Sequence, residues 1–175
     1  MNRDQFFESI ERGLDGLIAR TEPFRNLVAG SYSTNTRAHD WTLGQLFDHL
    51  VKADVEIGKI MKKAVETAPA NADEEVRHTL IGRMIIGAMA KPNAPVPKAF
   101  LPGTGGGQSV EEYFEHLVTL RASLPVLKRK NLAKALIPSP AARFIKYNAY
   151  DALALGVAHG ERHLAQAESI FRSLP

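Results

Sequence analysis

Cysteine is absent from the 175 residues of the chain. A disulfide framework and any thiolate metal site are therefore excluded. The sequence also lacks an apolar run near the ~18 residues that a membrane span needs, and its first residues lack the apolar core of a signal peptide. Together these absences predict a cytoplasmic protein with no membrane partner.

A strong charge imbalance is missing as well. The chain has 22 Lys and Arg against 19 Asp and Glu, for a formal net charge of +3, so it predicts no nucleic-acid partner. The one basic cluster is Lys128-Arg129-Lys130, with Lys134, Arg143 and Lys146 beyond it, and we interpret it as a solvated face. The segment Gly103–Gly107 lacks the Gly-Lys-Ser/Thr of a P-loop, which argues against nucleotide binding there.

What is present is the composition of an ordinary globular protein. Hydrophobic residues make up 45% and charged residues 23%. The length fits one domain, residues 1–175. Four or five segments have helical periodicity and no segment alternates cleanly with period two, which predicts an all-α fold.

The first two predicted helices have clear boundary signals. Asn2 can cap a first helix that ends or kinks at Pro23. A second helix begins at the capping box Thr42-Leu43-Gly44-Gln45, with Trp41 as the staple residue before it, and it continues to about Thr67.

Three further helices are predicted. One runs from about Asp73 to Met89, with acidic residues at its start. A capping box at Ser109–Glu112 opens the next, which ends or kinks at Pro125, and the last runs from near Asn148 to Leu174. Two segments are predicted to be irregular: 91–108, rich in proline and glycine, and 127–147. Loops as long as 91–108 are often functional lids or mobile segments.

The last predicted helix contains His159-Gly160-Glu161-Arg162-His163. Histidines four residues apart lie on one face of a helix, the spacing by which a helix offers two imidazoles to one metal ion. Their face is mostly apolar, so both rings should point inward, where neutral imidazoles need partners. The spacing alone is a weak signal, and Gly160 rules out the full His-Glu-x-x-His form.

His49 strengthens the hypothesis. It lies on the apolar side of the second helix, among Leu46, Leu50, Ala53 and Ile57. A lone histidine there is more often a satisfied core residue than a ligand. Three histidines on the apolar faces of two long helices are harder to explain as packing, although spacing cannot show that they meet.

Two stretches resemble the DinB-like superfamily (DinB/YfiT-like metalloenzymes). Trp41-Thr42-Leu43-Gly44-Gln45-Leu46-Phe47-Asp48-His49-Leu50 is similar to the second helix of that family, and the segment from Ala158 to Glu168 is similar to its final helix. The resemblance spans nearly the whole chain. It implies that His49, His159 and His163 bind one divalent metal ion.

The resemblance also implies a four-helix bundle with long crossover connections and additional short helices. Family members include thiol-dependent transferases, isomerases and hydrolases, so we expect a metal-dependent enzyme acting on a small-molecule substrate. Three protein nitrogens leave coordination positions open, and such an ion lowers the pKa of bound water or polarises a ligand atom. Zn or Ni is the expected ion, with Fe and Cu as alternatives. Many members are dimers, so a homodimer is also implied.

The alternative hypothesis is a non-catalytic helical bundle that binds a partner or a small molecule, with a vestigial metal site. It is motivated by the basic cluster and by the absence of an evident nucleophile or general base. In a DNA-binding version, Lys128-Arg129-Lys130 would contact phosphates and the affinity would fall steeply with salt.

Several other residues could contribute to a site. Gln166, three residues past His163, could donate a hydrogen bond in support of the ligands, and Tyr147 and Tyr150 could supply a hydroxyl to a pocket. Trp41 is better explained as the staple residue, and Asp48 points to a different side of its helix from His49. Three histidines lack any partner pattern and are expected on the surface: His39, His78 and His116.

Overall fold

The computed structural model describes residues 2–36, 40–70, 75–89, 96–139 and 144–175. It is mostly helical, which confirms the all-α prediction, with one two-stranded sheet in addition. Four residues on which predictions were made lie outside the described residues: Asp73 and Glu74 at the predicted helix start, His39, and Arg143 of the basic cluster. None of the helices in the described ranges combines the length and the apolar character that a bilayer-spanning helix requires.

Helix α1 spans Arg3–Thr21, and its start confirms the predicted cap. The Asn2 side chain accepts a hydrogen bond of 2.8 Å from the Asp4 amide. A 3₁₀ turn, Glu22–Phe24, contains Pro23 and follows the helix directly, as the proline predicted. The short helix α2, Ala29–Ser33, was not predicted from the sequence.

The second predicted helix consists of three consecutive parts. Helix α3 spans Leu43–Leu50, a π-helical turn spans Val51–Val55, and helix α4 spans Glu56–Glu66. The capping box is present, because the Gln45 amide donates to the Thr42 hydroxyl at 3.2 Å and the Thr42 amide donates to the Gln45 side chain at 3.0 Å. The prediction was right about both ends and missed the π turn.

Helix α5 spans Leu80–Met89, so it begins later than the predicted Asp73. Thr79 sets this start, because its hydroxyl accepts from the Gly82 amide at 2.8 Å and its carbonyl from the Arg83 amide at 3.1 Å. Upstream of it, Glu75 forms an isolated antiparallel bridge with Asn2. Glu75 was therefore misread as part of a first turn.

Helix α6 spans Gly107–Leu127. It begins two residues before the predicted cap Ser109, so the predicted capping box at Ser109–Glu112 is wrong. Pro125 lies inside the last turn instead of ending the helix. Next come β1, Leu136–Pro138, and β2, Lys146–Asn148, paired antiparallel with Ile137 opposite Tyr147. The segment predicted to be irregular thus contains a short hairpin.

Helix α7 spans Ala149–Arg172, close to the predicted range. Its cap is Asn148, whose side chain accepts from the Asp151 amide at 3.0 Å, while the Asn148 amide donates to the Asp151 carboxylate at 3.1 Å. Helix α7 packs against α1, α3, α4 and α5, and α6 packs against α1 and α3. The apolar faces of these helices form one cluster of buried side chains.

Two hydrogen bonds join the Pro/Gly segment to α3 and to the π turn that follows it. The Gly103 amide donates to the Asp48 carboxylate at 2.6 Å, and Lys52 donates to the Leu101 carbonyl at 3.1 Å. Gly105 has φ 61°, and a Cβ there would lie 1.9 Å from the Gly44 carbonyl oxygen. Only glycine allows this backbone approach. Residues 101–105 are therefore a packed support for α3.

Candidate metal centre

Three buried histidines meet between α3 and α7, as the sequence predicted. His49 comes from α3, and His159 and His163 come from successive turns of α7. One ring nitrogen from each lies within 4.8 Å of the other two, and the Nε2 atoms of His49 and His159 are 3.1 Å apart. The three side chains are thus close enough to hold one metal ion.

The other nitrogen of each ring is occupied. Nδ1 of His49 is 2.7 Å from the Phe100 carbonyl oxygen, Nδ1 of His159 is 2.8 Å from the Asp54 carboxylate, and Nδ1 of His163 is 2.6 Å from the Gln166 side-chain oxygen. Each partner oxygen is an acceptor, so each Nδ1 carries a proton, and Nε2 is the ring nitrogen left for a metal ion. This tautomer is the one that metal-binding histidines with oriented rings adopt.

A divalent ion fits this donor set. The Nε2 atoms of His49 and His159 are 3.1 Å apart, and a cation beside them would accept a lone pair from each. Three imidazole nitrogens suit Zn, Ni, Cu and Fe ions, and a zinc–nitrogen bond of about 2.0–2.1 Å is compatible with nitrogens spaced in this way.

The surroundings keep two of the ligands, His49 and His163, neutral. Burial lowers the pKa of His49. Burial, followed by the neighbouring His159 and His49, lowers the pKa of His163 to about 2. Since a metal ion binds only the deprotonated imidazole nitrogen, no proton has to leave these two rings near neutral pH.

Asp54 reaches the centre because of the π turn. In a regular α-helix, residue 53 lies one turn after His49, and residue 54 points elsewhere. The π turn Val51–Val55 lengthens this turn by about one residue and brings the buried Asp54 carboxylate to Nδ1 of His159. The sequence indicated no carboxylate here, because a single π turn has no clear sequence signature.

Gln166 contacts the centre as a hydrogen-bond acceptor and not as the donor that was predicted. Its side-chain oxygen accepts a hydrogen bond from His163, whereas the sequence suggested a donor. Trp41 is more than a staple residue, since its ring centroid is 5.0 Å from that of His49 and 6.4 Å from that of His163. Asp48 lies away from the centre, as expected, bonded to Gly103 and Lys52.

Gly160 stands between the two α7 ligands for a packing reason. A Cβ atom at this position would lie 2.6 Å from the Tyr113 hydroxyl oxygen and 2.8 Å from a Leu17 methyl carbon. Helices α1, α6 and α7 meet closely here. This contact explains why α7 has glycine at the position that glutamate occupies in the His-Glu-x-x-His form.

A cavity of about 400 Å³ adjoins the three histidines. This volume lies within the ~300–1,000 Å³ range of small-molecule sites. Helix α5, the segment 96–100, α7 and the hairpin form its walls. Most of the lining is apolar, including Ile57, Met84, Ile85, Met89, Phe100 and Leu155; Asp54, Ser139, Tyr147 and Arg162 are its polar members besides the histidines.

The two candidate tyrosines have different surroundings. Tyr147 lines the cavity, and its buried hydroxyl has no hydrogen-bond partner in the described part of the chain. The Tyr150 hydroxyl instead accepts from Nε of Arg3 at 3.0 Å, and Tyr150 is not among the described lining residues. Of the two tyrosines, only Tyr147 is among the described residues that line the cavity.

Two histidines expected on the surface are partly buried, so that prediction was wrong. Nδ1 of His78 bonds to the Asp151 carboxylate at 2.8 Å, in the connection before α5. His116 on α6 faces Gly58 of α4, where burial lowers its pKa. Neither belongs to the metal cluster. The basic cluster is partly structural too, since Lys130 donates to the Ala68 carbonyl at 3.3 Å.

The chain matches no protein-family model, and no curated protein or solved structure is similar enough to it to count as a match.

Proposed function

We propose that the chain binds one divalent metal ion through His49, His159 and His163 and is a metal-dependent enzyme acting on a small molecule. The observation that carries this proposal is the arrangement of hydrogen bonds at the three rings. Every Nδ1 faces an oxygen acceptor, and a ring nitrogen of each histidine lies within 4.8 Å of the others. This orientation of all three Nδ1 atoms toward oxygen acceptors is the one that supporting groups impose on metal-binding histidines.

The proposal extends to the DinB-like superfamily and its four-helix bundle with long crossovers. Its support is the order of the ligands along the chain, one on the second long helix and two on the last, together with the mutual packing of α1, α3, α6 and α7. The two long connections, between α4 and α6 and between α6 and α7, contain α5 and the hairpin, respectively.

The reaction class that fits is hydrolysis or thiol-dependent group transfer. A divalent ion with three protein ligands supplies a Lewis acid with open positions. The chain's own contributions are the orientation of the rings by Asp54, Gln166 and the Phe100 carbonyl, and an apolar cavity that displaces water from a bound substrate. Zn or Ni is the ion we expect.

Elemental analysis tests the metal site. Protein purified without an affinity tag should contain close to one equivalent of a single transition metal, and the double variant His159→Ala/His163→Ala should contain almost none. The variant His116→Ala is the matched control, because it removes a partly buried histidine outside the cluster and should keep the metal. Equal, negligible metal in all three proteins would remove the proposal, and anomalous scattering at the cluster would identify the element.

A non-catalytic binding protein is the second candidate function. The observation that favours it is that Asp54, the one carboxylate in the described cavity lining, is already bonded to His159 and is not available as a general base. A panel of thiol and ester substrates separates the two candidates. Turnover that disappears on chelation and returns with the metal would reject the non-catalytic function.

A further inference from the structure

Tyr147 is the polar group in the cavity whose hydrogen bonding is incomplete. Its side chain is 1% exposed, and its hydroxyl finds no partner in the described part of the chain. The ring is fixed in place, because Tyr147 is the central residue of β2 and pairs with Ile137. A buried hydroxyl without a partner is unfavourable, and a ligand atom that reached it from the adjoining cavity would satisfy it.

This hydroxyl is a hydrogen-bond donor throughout the physiological range. Burial, followed by the carboxylates of Asp151 and Asp54, raises the pKa of Tyr147 to about 12. The phenol therefore keeps its proton, and it offers that proton to an acceptor atom of any molecule that fills the cavity.

The charges at the cavity favour an anion. Three neutral imidazoles contribute no charge, and Asp54 is the one carboxylate among the described lining residues. It cannot balance the two positive charges of a divalent ion. A negatively charged head would compensate this excess.

The remainder of the cavity favours an apolar body. Met84, Ile85 and Met89 line it from α5, and Phe100 and Leu155 line it from the other sides. Methionine side chains adapt to ligands of irregular shape. A volume of about 400 Å³ holds a molecule of medium size, such as a short aliphatic chain or an aromatic ring system.

We propose that this cavity binds a small, mainly apolar molecule with one anionic head, that the head lies at the Nε2 side of the three histidines, and that Tyr147 donates a hydrogen bond to a polar atom of the molecule. The preference for an anionic head rests on the proposed metal site. The apolar walls and the Tyr147 contact belong to the chain itself.

Calorimetric titration with three eight-carbon probes tests the inference: octanoate, 1-octanol and octylammonium. Zinc-loaded protein should bind octanoate at least tenfold more tightly than octylammonium, with 1-octanol between them. Stripping the metal should remove most of the advantage of octanoate. Equal binding of the three probes, or tighter binding of octylammonium, would overturn the anionic preference.

Two tyrosine variants test the hydrogen bond. Tyr147→Phe should weaken octanoate binding by about tenfold or more, because the only acceptor on octanoate is its charged carboxylate. It should not lower the melting temperature of the ligand-free protein, because the hydroxyl has no described partner there. Tyr113→Phe is the matched control, since it removes another buried hydroxyl without a described partner, outside the cavity, and should leave octanoate binding unchanged. An equal effect of both variants on binding, or no effect of Tyr147→Phe, would reject the assignment of Tyr147.

The location is tested by Ala88→Phe, which fills the cavity from α5. This variant should keep the metal and lose octanoate binding. Metal content is measured on every sample, so the two proposals fail separately. Protein that takes up zinc but binds none of the probes would overturn the ligand inference and leave the metal site standing. Protein that takes up no zinc would overturn the metal site and, with it, the anionic preference.

Discussion

The Asp54 carboxylate accepts a hydrogen bond of 2.8 Å from Nδ1 of His159, joining residues 105 positions apart in the sequence. This bond fixes the His159 tautomer and aims its Nε2 atom at the other two histidines. A carboxylate in this position also makes the imidazole a stronger donor to a metal ion. Asp54 therefore acts on the metal through His159, as a positioning residue.

Replacing Asp54 by Asn should weaken metal binding by about 10- to 100-fold, the usual effect of losing such a partner. The amide keeps the shape of the side chain but removes its charge. The measurement is competition with a chromophoric chelator. Asp48→Asn is the matched control, because Asp48 lies on the same long helix and bonds to Gly103 and Lys52 away from the centre. Similar losses of metal affinity in both variants would show that the effect comes from disturbing the helix and not from losing the contact between Asp54 and His159.

Gly160→Ala should destabilise the protein by about 1–2 kcal/mol, since overpacking a dense core costs more than the helix propensity that alanine gains. The new methyl group would press against the Tyr113 hydroxyl and Leu17. Gly156→Ala on the same helix meets nothing within 4 Å and should stabilise by about 0.5–1 kcal/mol. Urea denaturation of both variants gives the comparison.

A second substitution identifies the clashing atom. Tyr113→Phe removes the oxygen nearest to the Gly160 methyl position, so the double variant should recover part of the lost stability. Equal stability changes at positions 156 and 160, or no recovery in the double variant, would contradict the proposed contact.

The metal-free protein should become less stable as the pH falls from 7.5 to 5.5. Burial holds the pKa values of His49, His163 and His116 below their ordinary 6.5 in the folded protein. Near pH 6.5 the unfolded chain therefore takes up protons that the folded protein does not, and the free energy of unfolding decreases. Each such histidine contributes up to about 1.4 kcal/mol per pH unit below its unfolded pKa.

Denaturation of chelator-treated protein at half-unit pH steps measures this slope. His163→Gln should reduce the slope, because it removes one of the titrating groups whose pKa differs between the two states. A free energy of unfolding that stays constant across this range, or that rises toward acid, would contradict the direction of these shifts.

The inward orientation of the three histidines could be predicted because its signals are local, whereas only the family resemblance implied that they share one ion. The capping box at Thr42 fixes where α3 begins, and the apolar stripe then fixes which way His49 points. The four-residue spacing of His159 and His163 places both on one face of α7. In the structure α3 packs against α7, and this contact brings the three rings together.

The supporting groups could not be predicted, for the opposite reason. Asp54 is brought inward by a π turn, and the partner of His49 is a backbone carbonyl, at Phe100, that no residue type reveals. The start of α5 depends on Thr79 and its contact with Asp151, 72 residues away. Such long-range hydrogen bonds leave no periodic pattern in the sequence.

Asp151 connects the start of α7 to the start of α5. Its carboxylate is 1% exposed and accepts from Nδ1 of His78, from the amide and hydroxyl of Thr79 and from the amide of Asn148, all within 3.2 Å. Helix α5 approaches closely enough that a Cβ on Gly82 would lie 2.0 Å from a carboxyl carbon. The position of α5, and with it one wall of the cavity, therefore depends on this one buried acid.

Asp151→Asn should cost about 3 kcal/mol of stability, because several buried donors lose a charged acceptor at once. The loss should be local first: hydrogen exchange should accelerate in residues 76–89 before it does in α1 or α6. Asp15→Asn is the control, since Asp15 pairs with Arg121 on the surface and should cost no more than about 1 kcal/mol. If exchange accelerated uniformly along the chain, Asp151 would support the fold as a whole. If the faster exchange were confined to α5, and octanoate binding weakened while the metal content stayed unchanged, Asp151 would hold the cavity wall in place.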